Sequence, residues 1–203
     1  MEERNLNYFF KNCIERKLCK EYVLLWRNCK TKKDFVDLSL RMSSIPFIAD
    51  SIYNGWGLSV EFIKDYFADF INGKYIGYDV DCIKKVDKEN KLKKYFNTLI
   101  YCNYKDKIIF NENIIHVINS DCDLHISFNN EIKIVFISNK SNVKLHLTEC
   151  ATTTIYLFDE SKVTVVEDTE HTLTSFYKYS DRCSIVQIET KGKYLFYNKD
   201  LKI

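Results

Sequence analysis

Apolar and polar residues alternate in successive ten-residue segments from Asp121 to about Asp200. Most segments carry a short alternating apolar run in the middle and small or polar residues where one segment joins the next. In the first segment the apolar run is Leu124, Ile126 and Phe128. Side chains alternate across a β-strand, so each run has one face to bury and one face to expose. The pattern predicts a repeated unit of strand and corner.

Two architectures fit this repeat. An antiparallel meander or sandwich needs a tight hairpin at nearly every junction, and such hairpins favour Asn-Gly, Asp-Gly or Gly-X. From Phe110 to the end of the chain the only glycine is Gly192. Asparagine also takes left-handed corners. The predicted corners are Asn129-Asn130, Asn139-Lys140-Ser141-Asn142, Asp159-Glu160-Ser161 and Ser180-Asp181. The sequence therefore favours a short parallel β-solenoid with two ten-residue segments, about 20 residues, in each coil. An antiparallel β-sandwich or meander stays open as the alternative.

The N-terminal part has a helical period instead. Apolar residues recur at three- and four-residue steps, which predicts amphipathic helices. Thr31 with Asp34 resembles a helix start, and Pro46 suits the first turn of another helix. The four predicted helices are Asn5 to Cys29, a short one from Thr31 through Met42, one from Ser44 to Asn54, and one from Ser59 to Ile71. Short connections between them predict a small helical bundle.

The fold class predicted from these patterns is α+β, with a small N-terminal helical bundle followed by an all-β repeat. Residues 1–80 form the helical head, with an ambiguous strand around residues 75–80. Residues 81–107 form a charged connector and the first strand, since β-type alternation begins at Lys94. Residues 108–203 form the β-repeat domain.

Composition excludes some classes of protein. Hydrophobic residues make up 46% of the chain, enough for a packed core, and the net charge is +2. The acidic repeat argues against nucleic-acid binding. No apolar run is long enough for a membrane helix, and the start lacks a secretory signal. The expected location is the cytoplasm of the bacterial host. The eight cysteines form no CxxC pair, so we expect reduced, mostly buried thiols.

Candidate chemistry in the repeat is sparse. His125 and His146 are predicted to point outwards, about one coil apart, and to stack, without an obvious third ligand for a metal. Glu167 and Asp168 belong to an acidic cluster that could serve glycoside hydrolysis in a β-helix. Cys122, Cys150 and Cys183 lie at similar places near corners. We expect no metal, no cofactor and no catalytic residues.

Two sets of residues are candidates for binding. Aromatic rings beside a cation suit a base and a phosphate, and the helical head offers Trp56, Tyr66, Lys74 and Tyr75. The ends of a solenoid need caps, because an uncovered strand edge pairs with another strand. The aromatic last coil is a candidate cap or oligomer surface through Tyr194, Phe196 and Tyr197.

A further segment carries a resemblance. The residues Gly55-Trp56-Gly57-Leu58-Ser59, followed by Phe67-Ala68-Asp69-Phe70-Ile71-Asn72-Gly73-Lys74-Tyr75 and a repetitive β segment, are typical of one group of proteins. The chain resembles uncharacterised proteins of phages and mobile elements of gut bacteria that combine a helical head with a β-solenoid tail. The resemblance implies a phage or mobile-element origin and carries over no activity.

The function expected from the sequence is binding without catalysis. The chain would act as a homo-oligomer on a host defence component, or it would sequester a small signalling nucleotide. The first alternative is a structural or assembly component of a phage particle. The second is a carbohydrate-active β-helix enzyme.

Overall fold

The computed structural model describes residues 11–12, 14–15, 20–31, 34, 45–54, 73–79, 94–127, 132–148, 152–188 and 190–199. The chain divides into two compact units. The first comprises Met1–Asp69 and Ile76–Phe96, and the second comprises Phe70–Tyr75 and Asn97–Ile203.

The first unit contains helices α1 (Lys20–Asn28) and α2 (Ile45–Asn54). Proline at the second residue of α2 needs no amide hydrogen bond there, and Ile48 and Ile52, four residues apart, are buried. Between the helices, the Thr31 amide donates to Asp34 Oδ2 at 2.9 Å and the Asp34 amide donates to Thr31 Oγ1 at 3.1 Å. This reciprocal pair is a capping box, and it confirms the helix start predicted at Thr31.

A four-helix bundle is not supported. Helix α2 matches the third predicted helix, and α1 covers the last part of the first. Most of the second and all of the fourth lie outside the described residues. The helix content described is small. Helical spacing of apolar residues shows where an amphipathic helix can form, but it carries no information on the long-range packing that makes a bundle.

The strands form two sheets. Sheet A has seven strands in the order β1-β2-β4-β6-β8-β10-β12, and sheet B has five in the order β11-β9-β7-β5-β3. The strands are β1 (Gly73–Asp79), β2 (Lys94–Cys102), β3 (Lys107–Phe110), β4 (Ile114–Ile118), β5 (Asp121–Ile126), β6 (Lys133–Ser138), β7 (Asn142–Leu147), β8 (Thr152–Leu157), β9 (Lys162–Glu167), β10 (Leu173–Lys178), β11 (Ser184–Gln187) and β12 (Lys193–Asn198).

From β2 onwards the chain alternates between the sheets, and each strand pairs in parallel with the strand one coil away. Ile114 pairs with Ile134, and Ile134 with Thr154, a step of 20 residues each time. The result is a β-solenoid of about five turns. The solenoid prediction is confirmed, and the antiparallel alternative is wrong, because the described strands from β2 onwards pair in parallel and consecutive strands lie in different sheets.

The core consists of like positions stacked from coil to coil. One column in sheet A runs through five fully or almost fully buried residues: Leu99, Ile115, Val135, Ile155 and Phe176. Sheet B faces it with a second buried column: Ile108, Leu124, Leu145 and Val165. In sheet B these are the apolar positions of the alternating runs, as at Leu124 and Leu145. In β6 both faces are apolar and buried, so alternation alone does not mark Val135 as the inward residue.

The corners explain how the coils close without glycine. Among the described non-glycine residues, four have a left-handed backbone: Asn103 (φ 55°), Asn119 (φ 48°), Asn139 (φ 60°) and Asp159 (φ 57°). Asparagine and aspartate tolerate this region better than other side chains do. Their side chains also join neighbouring coils, since Asn119 Nδ2 donates to Asn103 Oδ1 at 2.6 Å and the Asn139 amide donates to Asp159 Oδ2 at 2.8 Å. The left-handed corners predicted for the repeat are confirmed at Asn139 and Asp159.

Candidate interaction surface at the last coil

The last coil ends both sheets. Strand β12 is terminal in sheet A and pairs with β10, and strand β11 is terminal in sheet B and pairs with β9. In the described part of the chain no further strand pairs with either. One side of each strand therefore has open backbone amides and carbonyls, which is the condition under which another strand can add.

Large apolar side chains are exposed at this end. Phe196 continues the inward column of sheet A, and its ring stacks on Phe176 with centroids 5.5 Å apart and an interplanar angle of 8°. Phe176 is 0% exposed, whereas Phe196 is 54% exposed. Half of the ten exposed large apolar side chains in the described residues lie on or beside β11 and β12, namely Val186, Ile188, Leu195, Phe196 and Tyr197. The exposure is concentrated where coil stacking stops.

An aromatic ladder on the outer face of sheet A also ends here. Rings at the same register position stack from coil to coil, with centroid separations of 4.6, 5.0, 5.1 and 4.6 Å. The ladder is His116, Phe136, Tyr156, Tyr177 and Tyr197. Sequence reasoning missed this ladder, although aromatic residues at steps of 20 or 21 from Phe136 onwards were a signal for it. In the described residues nothing stacks on the far face of Tyr197.

A buried carboxylate fixes the start of β12. Asp168 accepts hydrogen bonds from the Lys191 amide at 2.6 Å, from the Gly192 amide at 2.7 Å and from the Tyr194 hydroxyl. A Cβ on Gly192 would lie 2.7 Å from Asp168 Oδ2 and 2.9 Å from Thr172 Cβ, so the approach requires glycine. Burial raises the pKa of Asp168, but the bonds from Tyr194, Lys191 and Gly192 outweigh burial and lower that pKa overall. Burial and the Asp168 carboxylate raise the pKa of Tyr194.

Charged residues connect the last coil to the one before it. Arg182 donates to Glu160 at 2.6 Å, and Lys199 Nζ lies 4.7 Å from the centroid of the Tyr179 ring. Lys193 is exposed at the start of β12. The described end is therefore apolar and aromatic in the middle and basic at its rim.

The residues predicted for binding have different outcomes. Tyr194, Phe196 and Tyr197 lie together on β12. Lys74 and Tyr75 lie on β1. Their side chains, like Trp56 and Tyr66, are outside the described part of the chain, so this candidate binding set stays a prediction.

The histidines of the repeat follow the register. His125 and His146 pair across β5 and β7, and their rings stack with centroids 4.1 Å apart and an interplanar angle of 3°. This confirms the predicted stacking. His146 Nδ1 lies 3.5 Å from Glu167 Oε2. His116 is different, because it is buried, and burial lowers its pKa to about 3. Among the described residues no group of three or more His, Cys, Asp or Glu could hold a metal ion.

The described cysteines are free thiols. Cys102, Cys122 and Cys183 are buried, and Cys29 is half-buried. Burial raises the pKa of Cys122 to about 12 and also raises that of Cys183. Thiols held protonated in this way are poor nucleophiles. Cys183 instead packs beside Ser161, with Sγ and Oγ 3.6 Å apart, and donates to the Asp159 carbonyl at 3.5 Å. The Cys183 thiol therefore has a structural role, because its contacts join its own coil to the corner at Asp159–Ser161.

The described helices include none with the length and apolar character to cross a membrane. No protein-family model matches the chain, and neither a curated protein nor a solved structure shows significant similarity to it. The physical features of the last coil are therefore the basis for a functional proposal.

Proposed function

We propose that the chain is a non-enzymatic interaction protein that binds a protein partner through the exposed end of its last coil. The observation that carries this proposal is the contrast between Phe196, 54% exposed, and its equivalent Phe176, 0% exposed. Contiguous exposed apolar surface is typical of interaction sites. An open edge strand adds a second requirement that a partner strand satisfies through its backbone.

The side of the solenoid formed by sheet B suits solvent better than a partner. Its outward residues pair with each other along the coils: Lys144 Nζ lies 3.7 Å from Asp123 Oδ1, and Asn142 donates to Asp121 Oδ1 at 3.1 Å. These polar ladders leave little apolar area to bury. We therefore assign recognition to the end, with the coils as a rigid support behind it.

The identity of the partner is a finer proposal that rests on the resemblance to phage and mobile-element proteins. Action on a host defence component in the bacterial cytoplasm is one finer function, whichever surface carries it, and sequestration of a small signalling nucleotide by Trp56, Tyr66, Lys74 and Tyr75 is the other. Mass spectrometry of heat-released extract and thermal shifts with cyclic nucleotides test the nucleotide. If no nucleotide is released and cyclic nucleotides do not change the melting temperature, the nucleotide proposal is rejected. The proposal for the last coil does not depend on that result.

Photo-crosslinking tests the end surface. Benzoylphenylalanine replaces Tyr197, 42% exposed, in one variant of the full chain. In a control variant it replaces Ile109, an apolar residue on β3 that is 62% exposed. We expect adducts from position 197 in producing cells to exceed those from position 109 several-fold. Equal yields at the two positions, or none at position 197, would refute an interaction surface at the last coil.

A further inference from the structure

The open edge of β12 has a defined set of backbone groups. The Lys193 amide donates to the Thr172 carbonyl at 2.8 Å, and the Lys199 amide donates to the Lys178 carbonyl at 3.0 Å. Successive amides of a strand point to opposite sides, so residues 193, 195, 197 and 199 bond towards β10. The amides and carbonyls of Tyr194, Phe196 and Asn198 therefore point to the open edge.

The side chains of β12 divide in the same alternating way. Phe196 lies in the inward column, on Phe176, and Tyr197 lies in the outward ladder, on Tyr177. Tyr194 is inward with Phe196, while Lys193 and Leu195 are outward with Tyr197. When two copies of this strand run antiparallel, residues directly opposite each other point to the same face, so only certain registers keep both cores continuous.

We propose that the occupant of this end is a second copy of the chain, bound through an antiparallel pair of β12 strands centred on Leu195. This rests on the proposed function. In that register Leu195 meets Leu195 of the second copy, and Tyr194 meets Phe196 of the second copy on the inward side. The open amides of Tyr194 and Phe196 then form the hydrogen-bonded pair, and the two-fold axis makes both halves equivalent.

Charge selects this register over its neighbour. Centring on Leu195 sets Lys193 beside Tyr197 of the second copy, where an ammonium group meets an aromatic ring. Centring on Phe196 would set Lys193 opposite Lys199 of the second copy, and like charges directly opposite each other are destabilising. Val186 and Ile188, exposed at the same end of sheet B, add apolar surface to the contact.

Sedimentation of the full chain tests the second copy. We expect a dimer at tens of micromolar protein. The Leu195→Lys variant places two lysines on the axis and should sediment as a monomer, with a dimer dissociation constant raised at least tenfold. The Leu195→Glu variant should behave in the same way. The control variant Ile109→Lys, which adds the same charge at an exposed apolar position on β3, should remain dimeric.

Mixing the two variants makes the test specific to the axis. Leu195→Lys and Leu195→Glu chains, each monomeric alone, should form a mixed dimer when combined, because opposite charges then meet at the two-fold position. A monomeric wild-type chain, or a mixture that stays monomeric while each variant keeps its fold by circular dichroism, would overturn the proposal. Crosslinks from position 197 with a mass other than twice the chain would keep the interaction function and reject the second copy.

Discussion

At the scale of single residues, His116 makes the fold sensitive to acid. The ring is buried in the outward ladder, its centroid 4.6 Å from that of Phe136, and burial lowers its pKa from the ordinary histidine value of 6.5 to about 3. Between pH 6.5 and pH 3, His116 is therefore protonated in the unfolded chain and neutral in the folded chain. The stability that this group contributes is complete above pH 6.5 and is lost as pH falls towards 3.

Replacing His116 should flatten this pH dependence. For a pKa of about 3 in the folded state and 6.5 in the unfolded state, the loss at pH 5 is about 2 kcal/mol. His116→Phe, which matches Phe136 in the ladder, should remove most of that loss in urea unfolding at pH 7 and pH 5. His171→Gln, at an exposed turn, serves as the control and should keep it. If the free energy of unfolding falls by the same amount between pH 7 and pH 5 in the wild type and in His116→Phe, other groups are responsible for the loss of stability in acid.

The Asp168 carboxylate should stabilise the last coil strongly for one residue. Asp168→Asn sets an amide nitrogen or a single oxygen against three donors, so we expect a loss of about 1–3 kcal/mol in the free energy of unfolding. The pKa of Asp168 is lowered in the folded state. Its contribution to stability is therefore present above the ordinary aspartate pKa of 3.8 and is lost as pH falls below that value.

A matched control separates this corner from surface charge in general. Asp123 forms an exposed ion pair with Lys144 at 3.7 Å. Asp123→Asn should therefore cost less than about 1 kcal/mol. Urea midpoints for the two variants at pH 7 make the comparison. If both variants lose the same small amount, the hydrogen bonds to Lys191, Gly192 and Tyr194 do not hold the last coil.

At the scale of elements, the strands were predictable and their long-range partners only in part. Alternation identifies the inward residues where the other face is polar, as in β5 and β7, but not in β6, which is buried on both faces. A step of about 20 residues predicts stacking of like positions. The stacked His125 and His146 follow directly from that step. The burial of His116 does not, because alternation puts it outside and says nothing of what covers an outer face. The three hydrogen bonds that Asp168 accepts could not be predicted from the sequence either, since their donors come from one coil further along the chain.

Corner asparagines should be specifically required for a left-handed backbone. Asn139 has φ of 60° and its amide bonds to Asp159. Alanine retains the amide but disfavours this backbone, so Asn139→Ala should cost about 1–2 kcal/mol in unfolding by urea. Asn139→Gly adopts the corner freely and should lose less than alanine does. A glycine variant less stable than the alanine variant would mean that the asparagine side chain, and not its backbone, matters at this corner.

At the scale of the whole molecule, a solenoid is stabilised by contacts between neighbouring coils. A middle coil has a neighbour on both sides, whereas the described last coil has one. The sequence shows this arrangement through its period, but period alone does not show which end is exposed. That depends on side chains such as Phe196, which has the same character as Phe176 but is 54% exposed, because no further coil covers it in the described part of the chain. The sequence therefore indicates this end as a candidate region, which stays a prediction, and it carries no information on the strand register that a partner would take.

Hydrogen exchange should show this difference between coils and its dependence on a second copy. In dilute protein we expect amides of β12 to exchange at least tenfold faster than those of β7, because an end coil opens without disturbing the others. Raising the concentration to where the dimer forms should slow exchange at Tyr194 and Phe196 and leave β7 unchanged. The Leu195→Lys variant should exchange rapidly at β12 at every concentration. If β12 in the dilute wild-type chain were as protected as β7, the end coil would be held from within the chain, and its exposed rings would not be available to a partner.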